Sequence, residues 1–225
     1  MDKNFDFDVI ASSYDDYKFR NKYYYSIVKG LVKELIGNPG DKTVLDVGCG
    51  TGDLLCSLNP KHGLGIDVSS EMIRIAKEKY STHHNLDFKV GDAQTYPLGE
   101  SFDFIVLMDV IDHIVDLRKA FKNLGKSCAS HSRVIIIYAN PLWEPILKLA
   151  EKLCLKMPET ENRISLREIE ETYSSAGFTR EKSGTRTIIP VCIPLFSDAV
   201  NKIFNMVPGV RDFGLNKYYV LRKAS

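Results

Sequence analysis

The sequence has 225 residues, of which 44% are apolar and 26% charged, and 30 basic against 29 acidic residues give a formal net charge of +1. This composition is ordinary for a globular protein with one full-sized core, and the balanced charge argues against a nucleic acid as substrate. No apolar run approaches the roughly 18–20 residues of a membrane span, and the five scattered cysteines without a C-x-x-C pair indicate reduced thiols in a cytoplasmic protein.

The N-terminal region begins with polar residues and continues as a predicted helix. Apolar residues recur at helical spacing from Ile27 to Ile36, and Gly37-Asn38-Pro39-Gly40 ends the pattern. Several aromatic residues between Tyr14 and Tyr25 precede this helix. Their rings either pack the helix onto the core or form a lid over a ligand, and different rings can serve the two roles.

From residue 43 the chain alternates between predicted strands and helices. Apolar runs predict five strands, over residues 43–47, 63–68, 86–90, 102–108 and 134–138. Helices are predicted between them, over residues 52–58, after the serine cap at 69–70, and from the fourth strand to about Ala129. Alternation at this spacing is typical of a parallel sheet that is covered on both faces.

After residue 139 the alternation ends. We predict two helices, over residues 143–157 and 165–176, and two further strands, over residues 178–187 and 218–222. Ser165 caps the second of these helices, and Gly177 follows its end. An apolar insert at 188–206 separates the last two strands and is longer than a hairpin connection requires.

The most informative stretch is Val44–Asp53, in which the first strand ends in a tight turn that opens a helix. Its glycines occupy alternate positions, Gly48, Gly50 and Gly52. Glycine lets a ligand lie against the backbone, and such a turn before a helix binds nucleotide-like ligands in open α/β sheets. Asp53 occupies the third-glycine position of the dinucleotide motif G-x-G-x-x-G, which is therefore not matched. Asp46 would repel a phosphate but attract an ammonium or sulfonium cation.

Two further acids follow the second and third predicted strands. Asp67 ends the second strand, where a carboxylate can accept hydrogen bonds from both ribose hydroxyls. Asp92 follows the third strand, where it could accept from an adenine amino group. Each acid alone has an equally common role as a helix cap or turn residue. Three successive strands that end in carboxylates at one sheet edge favour a binding site there.

With these motifs the sequence resembles the class I S-adenosylmethionine-dependent methyltransferases, especially the small-molecule branch with the ubiquinone/menaquinone-type enzymes. Val44–Asp53 is similar to the glycine-rich motif of that family, Asp67 to its ribose-binding acid and Asp92 to its adenine-side acid. Phe102–Asp109 resembles the fourth strand with the end that lies near the methyl group. Ala11–Asp15 is similar to the N-terminal pattern A-x-x-Y-D. The match runs from about residue 5 to 140.

The resemblance implies an α/β fold with a doubly wound, seven-stranded, mostly parallel sheet whose last strand is antiparallel, with helices on both faces and a helical lid. It implies a single methyltransferase domain over 1–225, divided into a lid at 1–40, a cofactor-binding core at 41–140, an acceptor-side region at 141–217 and a final strand at 218–225. The implied cofactor is S-adenosylmethionine, with S-adenosylhomocysteine as product. The cofactor-binding residues would be Tyr14, Asp46, Gly48, Cys49, Gly50, Asp67, Val68, Met72, Asp92, Ala93 and Asp109.

Methyl transfer from a sulfonium depends mainly on positioning, and sometimes on a base for the acceptor proton. His113 and Asp109 are the candidate catalytic residues. An unperturbed imidazole such as that of His113 titrates at a pH of about 6.5 and can therefore accept a proton. Alternatively, Asp112 and His113 only begin the next helix and pack beside the cofactor. The spacing Asp109-x-x-Asp112-His113 also resembles a divalent-metal cluster of some family members. That cluster uses Glu and needs a further ligand, so no metal site is predicted.

The insert at 188–206 and the helix at 143–157 are expected to cover the acceptor. Their apolar residues favour a small-molecule acceptor that is hydrophobic or lipid-linked. The same residues also suit lid packing or a dimer contact, so we expect a monomer or a homodimer.

One rival function is a nicotinamide-dependent oxidoreductase on the same sheet. The missing third glycine and Asp46 argue against it. The other is a non-catalytic cofactor-binding protein.

Overall fold

The structure, a computed structural model, describes residues 7–153, 164–191, 193, 196–207 and 211–224. Its strands are, in chain order, β1 (Thr43–Val47), β2 (His62–Asp67), β3 (Leu86–Val90), β4 (Phe102–Met108), β5 (Cys128–Ala139), β6 (Phe178–Arg186) and β7 (Asn216–Lys223). Its α-helices are α1 (Phe7–Arg20), α2 (Lys22–Ile36), α3 (Asp53–Leu58), α4 (Ser70–Lys79), α5 (Leu117–Leu124), α6 (Glu144–Lys152), α7 (Leu166–Ser175) and α8 (Ser197–Met206).

The strands form one sheet in the order β3-β2-β1-β4-β5-β7-β6. β1 pairs in parallel with both β2 and β4, whereas β7 runs antiparallel to β5 and to β6. The predicted seven-stranded, mostly parallel sheet with an antiparallel last strand is therefore confirmed. The chain reverses its direction of winding between β1 and β4, which is where open α/β sheets bind ligands.

The core lies on both faces of the sheet. Neighbouring residues of a strand point to opposite faces, so Val44 and Leu45 of β1 enter two different apolar clusters. One cluster includes Phe121 of α5 and Ile169 of α7, and the other contains apolar residues of α2, α3 and α4. Helices on both faces explain why the central strands are continuous apolar runs.

The helix predicted from the fourth strand to about Ala129 is present but shorter, as α5 over Leu117–Leu124. The chain first forms a 3-10 turn at Ile111–His113, and α5 begins only after Asp116, whose Oδ1 accepts a hydrogen bond of 2.9 Å from the Lys119 amide. Ala129 lies in β5, because this strand already pairs with β4 at Cys128. Pairing with a neighbouring strand, which no local pattern shows, replaces the end of the helix.

The other differences are smaller. The N-terminal region forms two helices, α1 and α2, rather than a polar start and one helix. Of the predicted helix 143–157, the structure has α6 over Glu144–Lys152, and residues 154–157 lie outside the described residues, as do residues 192, 194 and 195 of the insert. The described part of the chain has no helix with the length and apolar character to cross a membrane.

Candidate functional site

A cavity of about 1050 Å³ opens at the carboxyl ends of β1, β2 and β4, below α1 and α2. Its lining contains every residue that the sequence predicted for cofactor binding or catalysis, namely Tyr14, Asp46, Gly48, Cys49, Gly50, Asp67, Val68, Met72, Asp92, Ala93, Asp109 and His113. The parallel register of β1, β2 and β4 explains this placement, because it brings the ends of these strands to one edge of the sheet.

The glycine turn has a backbone that only glycine adopts readily. Gly48 has a φ of +71° and Gly50 a φ of +52°, in the left-handed region that is unfavourable for residues with a Cβ. A Cβ at Gly48 would also overlap the side chain of Val110, and one at Gly50 would lie 3.2 Å from the Tyr14 ring. The turn therefore packs closely against the lid and leaves its backbone accessible from the cavity.

Asp67 is hydrogen-bonded to the glycine turn. Its Oδ2 accepts from the Gly50 amide at 2.8 Å, and its Oδ1 accepts from the Ser69 amide at 3.0 Å. Burial raises the pKa of Asp67, and these two backbone donors oppose the shift. A carboxylate offers about four acceptor sites, so the two backbone bonds leave acceptor capacity for hydroxyl groups of a ligand.

Asp46 lies just inside the turn and is only 2% exposed. Its Oδ2 atom is buried and has no hydrogen-bond partner in the described part of the chain. Burial raises the pKa of this carboxyl to about 7, although the nearby charge of Lys18 opposes the shift. A buried carboxylate oxygen without a donor is costly, and a cationic ligand group in the cavity would supply the missing partner.

The adenine-side candidates occupy the turn after β3. Asp92 Oδ1 accepts hydrogen bonds from the backbone amide of Gln94 at 2.8 Å and from its Nε2 at 3.0 Å. The Ala93 carbonyl accepts from Asn123 Nδ2 at 3.0 Å. Met72 is buried and donates its amide to the capping hydroxyl of Ser69, at 3.0 Å. These contacts fix the backbone along this wall of the cavity.

Three side chains of α1 hold the lid over the turn. Asp8 accepts a hydrogen bond of 3.1 Å from the Glu71 amide at the start of α4. Asp15 accepts one of 2.6 Å from Thr51 Oγ1 within the turn, and Lys18 forms an ion pair of 3.3 Å with Asp53. Sequence reasoning missed these contacts, because they join residues that are 35 to 63 positions apart and no local pattern marks them.

Asp109 takes part in further hydrogen bonds that the sequence did not predict. It has a φ of +52°, and its Oδ2 accepts a hydrogen bond of 3.1 Å from the hydroxyl of Tyr24 in α2. That hydroxyl in turn accepts from Asn216 Nδ2 at 2.9 Å, at the start of β7. Burial, followed by the charge of Asp109, raises the pKa of Tyr24 well above its usual value. Tyr24 therefore acts as a hydrogen-bond donor to Asp109.

His113 ends the 3-10 turn after β4, and the ring of Phe7 meets its imidazole edge-on at a centroid distance of 5.1 Å. Asp112 and His113 do not begin the next helix, since α5 starts at Leu117, whereas their packing beside the cofactor stays a prediction. No group of three or more His, Cys, Asp or Glu side chains within the described ranges is arranged to hold a metal ion.

The cavity continues beyond Asp109 into a largely apolar region. Its walls there are formed by Leu147 and Ala150 of α6, Ile164 just before α7, Glu168 and Thr172 of α7, Pro190 and Val191 of the insert, and Leu215 before β7. The two segments that were expected to cover an acceptor, the helix at 143–157 and the insert at 188–206, thus both contribute to the cavity wall.

Comparison with known proteins identifies the family of this chain. Residues 39–181 match the sequence profile of a family described as a methyltransferase domain. Over 134 residues the chain is 28% identical to a demethylmenaquinone methyltransferase of Staphylococcus saprophyticus, covering 57% of each chain. Over 123 residues it is 33% identical to a malonyl-[acyl-carrier protein] O-methyltransferase of Marinomonas, covering 52% of this chain and 44% of the relative. The chain thus spans about half the length of these relatives.

Solved structures share the fold over nearly the whole chain. A possible histamine N-methyltransferase of Thermotoga maritima superimposes with a TM-score of 0.73 at 19% identity, covering 96% of this chain and 98% of that one. A magnesium protoporphyrin IX methyltransferase of Synechocystis, with S-adenosylhomocysteine bound, gives a TM-score of 0.58 at 20% identity, covering 91% and 83%. The resemblance to the class I S-adenosylmethionine-dependent methyltransferases is confirmed, and the chain belongs to the methyltransferase-domain family.

Proposed function

We propose that this protein transfers a methyl group from S-adenosylmethionine to a small-molecule acceptor. The observation that carries the proposal is the buried, partnerless Oδ2 of Asp46 beside a glycine turn. A phosphate-bearing dinucleotide would be repelled by this carboxylate, whereas the α-ammonium of S-adenosylmethionine would satisfy it. The rival function as a nicotinamide-dependent oxidoreductase has no comparable support.

The remaining cofactor residues fit the rest of that molecule. Asp67 has acceptor capacity for the two ribose hydroxyls, and the open backbone at Gly48 and Gly50 allows close approach. Asp92 and Ala93 lie beyond the end of β3, where an adenine would be held. Tyr14, which contacts the turn at Gly50, would cover the bound cofactor and limit access of water.

When bound, S-adenosylmethionine supplies a methyl group on an electron-poor sulfonium, so the chain needs mainly to align the acceptor and exclude water. Asp109 and His113 line the cavity near the end of β4 and are the candidate residues for accepting a proton from the acceptor. The hydrogen bond from Tyr24 holds the carboxylate of Asp109 in place. A fixed carboxylate can orient a hydroxyl or amine of the acceptor as well as take up its proton.

The acceptor is proposed to be hydrophobic or lipid-linked. The cavity volume of about 1050 Å³ slightly exceeds the roughly 300–1,000 Å³ of small-molecule sites, which leaves room for an acceptor beside the cofactor. The walls contributed by Leu147, Ala150 and Val191 are apolar. A single domain over 1–225, a cytoplasmic location and a monomeric or homodimeric state remain predictions from the sequence.

Isothermal titration with S-adenosylhomocysteine tests the proposal. We expect saturable binding at one site per chain and no binding of NADH under the same conditions. Absence of S-adenosylhomocysteine binding by a protein with native circular dichroism would refute the proposed function. Transfer of a radiolabelled methyl group to members of a panel of quinols, phenols, amines and lipid-linked acids then separates an enzyme from a non-catalytic binding protein.

A further inference from the structure

The cavity contains a charged side chain that the sequence did not single out, Lys18 of α1. Its side chain is 11% exposed, and its Nζ lies 3.3 Å from Asp53 Oδ2 and 4.6 Å from the centroid of the Tyr14 ring. Tyr14 packs against Gly50, and Asp53 is the residue that follows the last glycine of the turn. The ammonium of Lys18 is therefore held beside the glycine turn, in the same cavity as Asp46.

Lys18 is the only lysine or arginine among the described residues that line this cavity. The lining also contains carboxyl groups, among them Asp46 and Asp67, which repel an anion when they are ionised. The charge of Lys18 acts on both of them, because it opposes the burial that raises their pKa values. An anionic group of a ligand therefore has one favourable place in this part of the cavity, next to Lys18.

Lys18 and Asp46 carry opposite charges but do not pair with each other. Lys18 pairs with Asp53, which also accepts hydrogen bonds from Lys79 at 2.6 Å and from Tyr80 at 2.7 Å. Asp46 Oδ2 has no partner within the described residues. An ammonium has three donors, and Asp53 engages one of them. The cavity thus presents a cationic donor and an anionic acceptor that are kept apart.

We propose that Lys18 binds the α-carboxylate of the amino-acid part of S-adenosylmethionine, while Asp46 receives its α-ammonium. This inference rests on the proposed function and names the residue that completes its cofactor site. The amino-acid part is a zwitterion, so it requires a donor and an acceptor of opposite charge. Lys18 lies on the lid helix, and this contact would therefore also hold α1 against the turn once the cofactor is bound.

Two ligands that differ only at the carboxylate test this assignment by isothermal titration. S-adenosylhomocysteine carries both charges, whereas its decarboxylated analogue keeps the ammonium and lacks the carboxylate. The variants are Lys18→Gln, Lys18→Arg and, as a matched control, Lys22→Gln. Lys22 is an exposed lysine at the start of α2 that stacks on Phe19 and does not line the cavity. Thermal unfolding of each variant checks that the fold is retained.

We expect Lys18→Gln to weaken binding of S-adenosylhomocysteine by roughly ten- to hundredfold, as for loss of a hydrogen bond between charged groups. Binding of the decarboxylated analogue should stay within about twofold of wild type or become tighter, because a cation is removed near another cation. Lys18→Arg should restore most of the affinity for S-adenosylhomocysteine, and Lys22→Gln should bind both ligands like wild type.

An equal loss for both ligands in Lys18→Gln would show that Lys18 only anchors the lid through Asp53, and would overturn the assignment. Unchanged affinity of Lys18→Gln for S-adenosylhomocysteine would overturn it as well, while the proposed function stands. If wild type binds neither ligand, the proposed function itself fails, and the assignment fails with it. The two failures are therefore distinguishable in one set of titrations.

Discussion

The hydroxyl of Tyr24 and the carboxylate of Asp109 form a hydrogen bond of 3.1 Å that joins the lid helix α2 to the end of β4. Asn216 donates to the same hydroxyl at 2.9 Å, so the bond also connects to the start of β7. Asp109 holds a left-handed backbone with a φ of +52°, which costs energy for a residue other than glycine. The lid thus stabilises a strained residue at the candidate catalytic position.

We expect Tyr24→Phe to lower the free energy of unfolding by about 1–2 kcal/mol, because Asp109 and Asn216 both lose a partner in a poorly solvated place. Urea denaturation measures this change. Tyr23→Phe is the control on the same helix. The hydroxyl of Tyr23 donates to Asp198 at an exposed site and accepts from Asn201 Nδ2 at 3.3 Å, and its removal should cost less than that of the Tyr24 hydroxyl, because water can replace the exposed bond. Equal effects of the two substitutions would contradict the special role of Tyr24.

The glycine turn predicts a contrast between two glycine-to-alanine substitutions. Gly48→Ala introduces a Cβ at a φ of +71° that would overlap Val110, so the free energy of unfolding should fall by at least about 2 kcal/mol. Gly30→Ala, at an exposed position of α2 where the added Cβ meets no atom within 4 Å beyond its chain neighbours and its own helix backbone, should stabilise the protein by about 0.4–1 kcal/mol. Urea denaturation with both variants checks the opposite signs.

The pKa of Asp46 leads to a prediction about pH. Burial raises this pKa from 3.8 to about 7, so between these values the folded protein keeps a proton that the unfolded chain has released. The contribution of Asp46 to the free energy of unfolding of the ligand-free protein should therefore fall as pH rises from about 4 to 7, and it should be constant above that. Since each pKa unit is worth about 1.4 kcal/mol, the Asp46 contribution amounts to a few kcal/mol.

Asp46→Asn should remove the Asp46 contribution to the pH dependence of the free energy of unfolding. The contribution of Asp67 should remain, because burial also raises the pKa of Asp67. Chemical denaturation of both proteins at pH 5, 6, 7 and 8 measures the difference.

Binding of S-adenosylhomocysteine near pH 6 should release a proton from wild type, because the ligand ammonium favours ionised Asp46. Titrations in buffers of different ionisation enthalpy detect this proton release. Proton release of equal size in Asp46→Asn would exclude Asp46 as its source.

The sequence was sufficient for the sheet, the strand-end carboxylates and the presence of a helical lid, and insufficient for the contacts that hold the lid. Strands such as β4 are continuous apolar runs because both faces of the sheet are covered. Their ends place Asp46, Asp67 and Asp109 in one cavity. Lys18 and Tyr24 could not be identified in this way, since their partners Asp53 and Asp109 are 35 and 85 positions away. Such pairs depend on how helices pack, which local periodicity does not encode.

Asp67 is expected to serve both the ligand and the turn. Asp67→Ala should weaken binding of S-adenosylhomocysteine at least about tenfold, because hydrogen bonds from the ribose hydroxyls to a carboxylate are lost. It also leaves the Gly50 and Ser69 amides without their acceptor, so circular dichroism and thermal unfolding must accompany the titration. Asp87→Ala removes an exposed acid from β3 that does not line the cavity, and it should bind like wild type.

A deoxyribose analogue separates the two roles of Asp67. Wild type should bind the 2′,3′-dideoxy form of S-adenosylhomocysteine at least about tenfold more weakly than S-adenosylhomocysteine itself, because the carboxylate loses its hydroxyl partners. In Asp67→Ala the same two ligands should differ by less than about threefold, since the acceptor is already absent. If the variant discriminates between them as strongly as wild type, Asp67 only supports the turn and the ribose hydroxyls are bound by other groups.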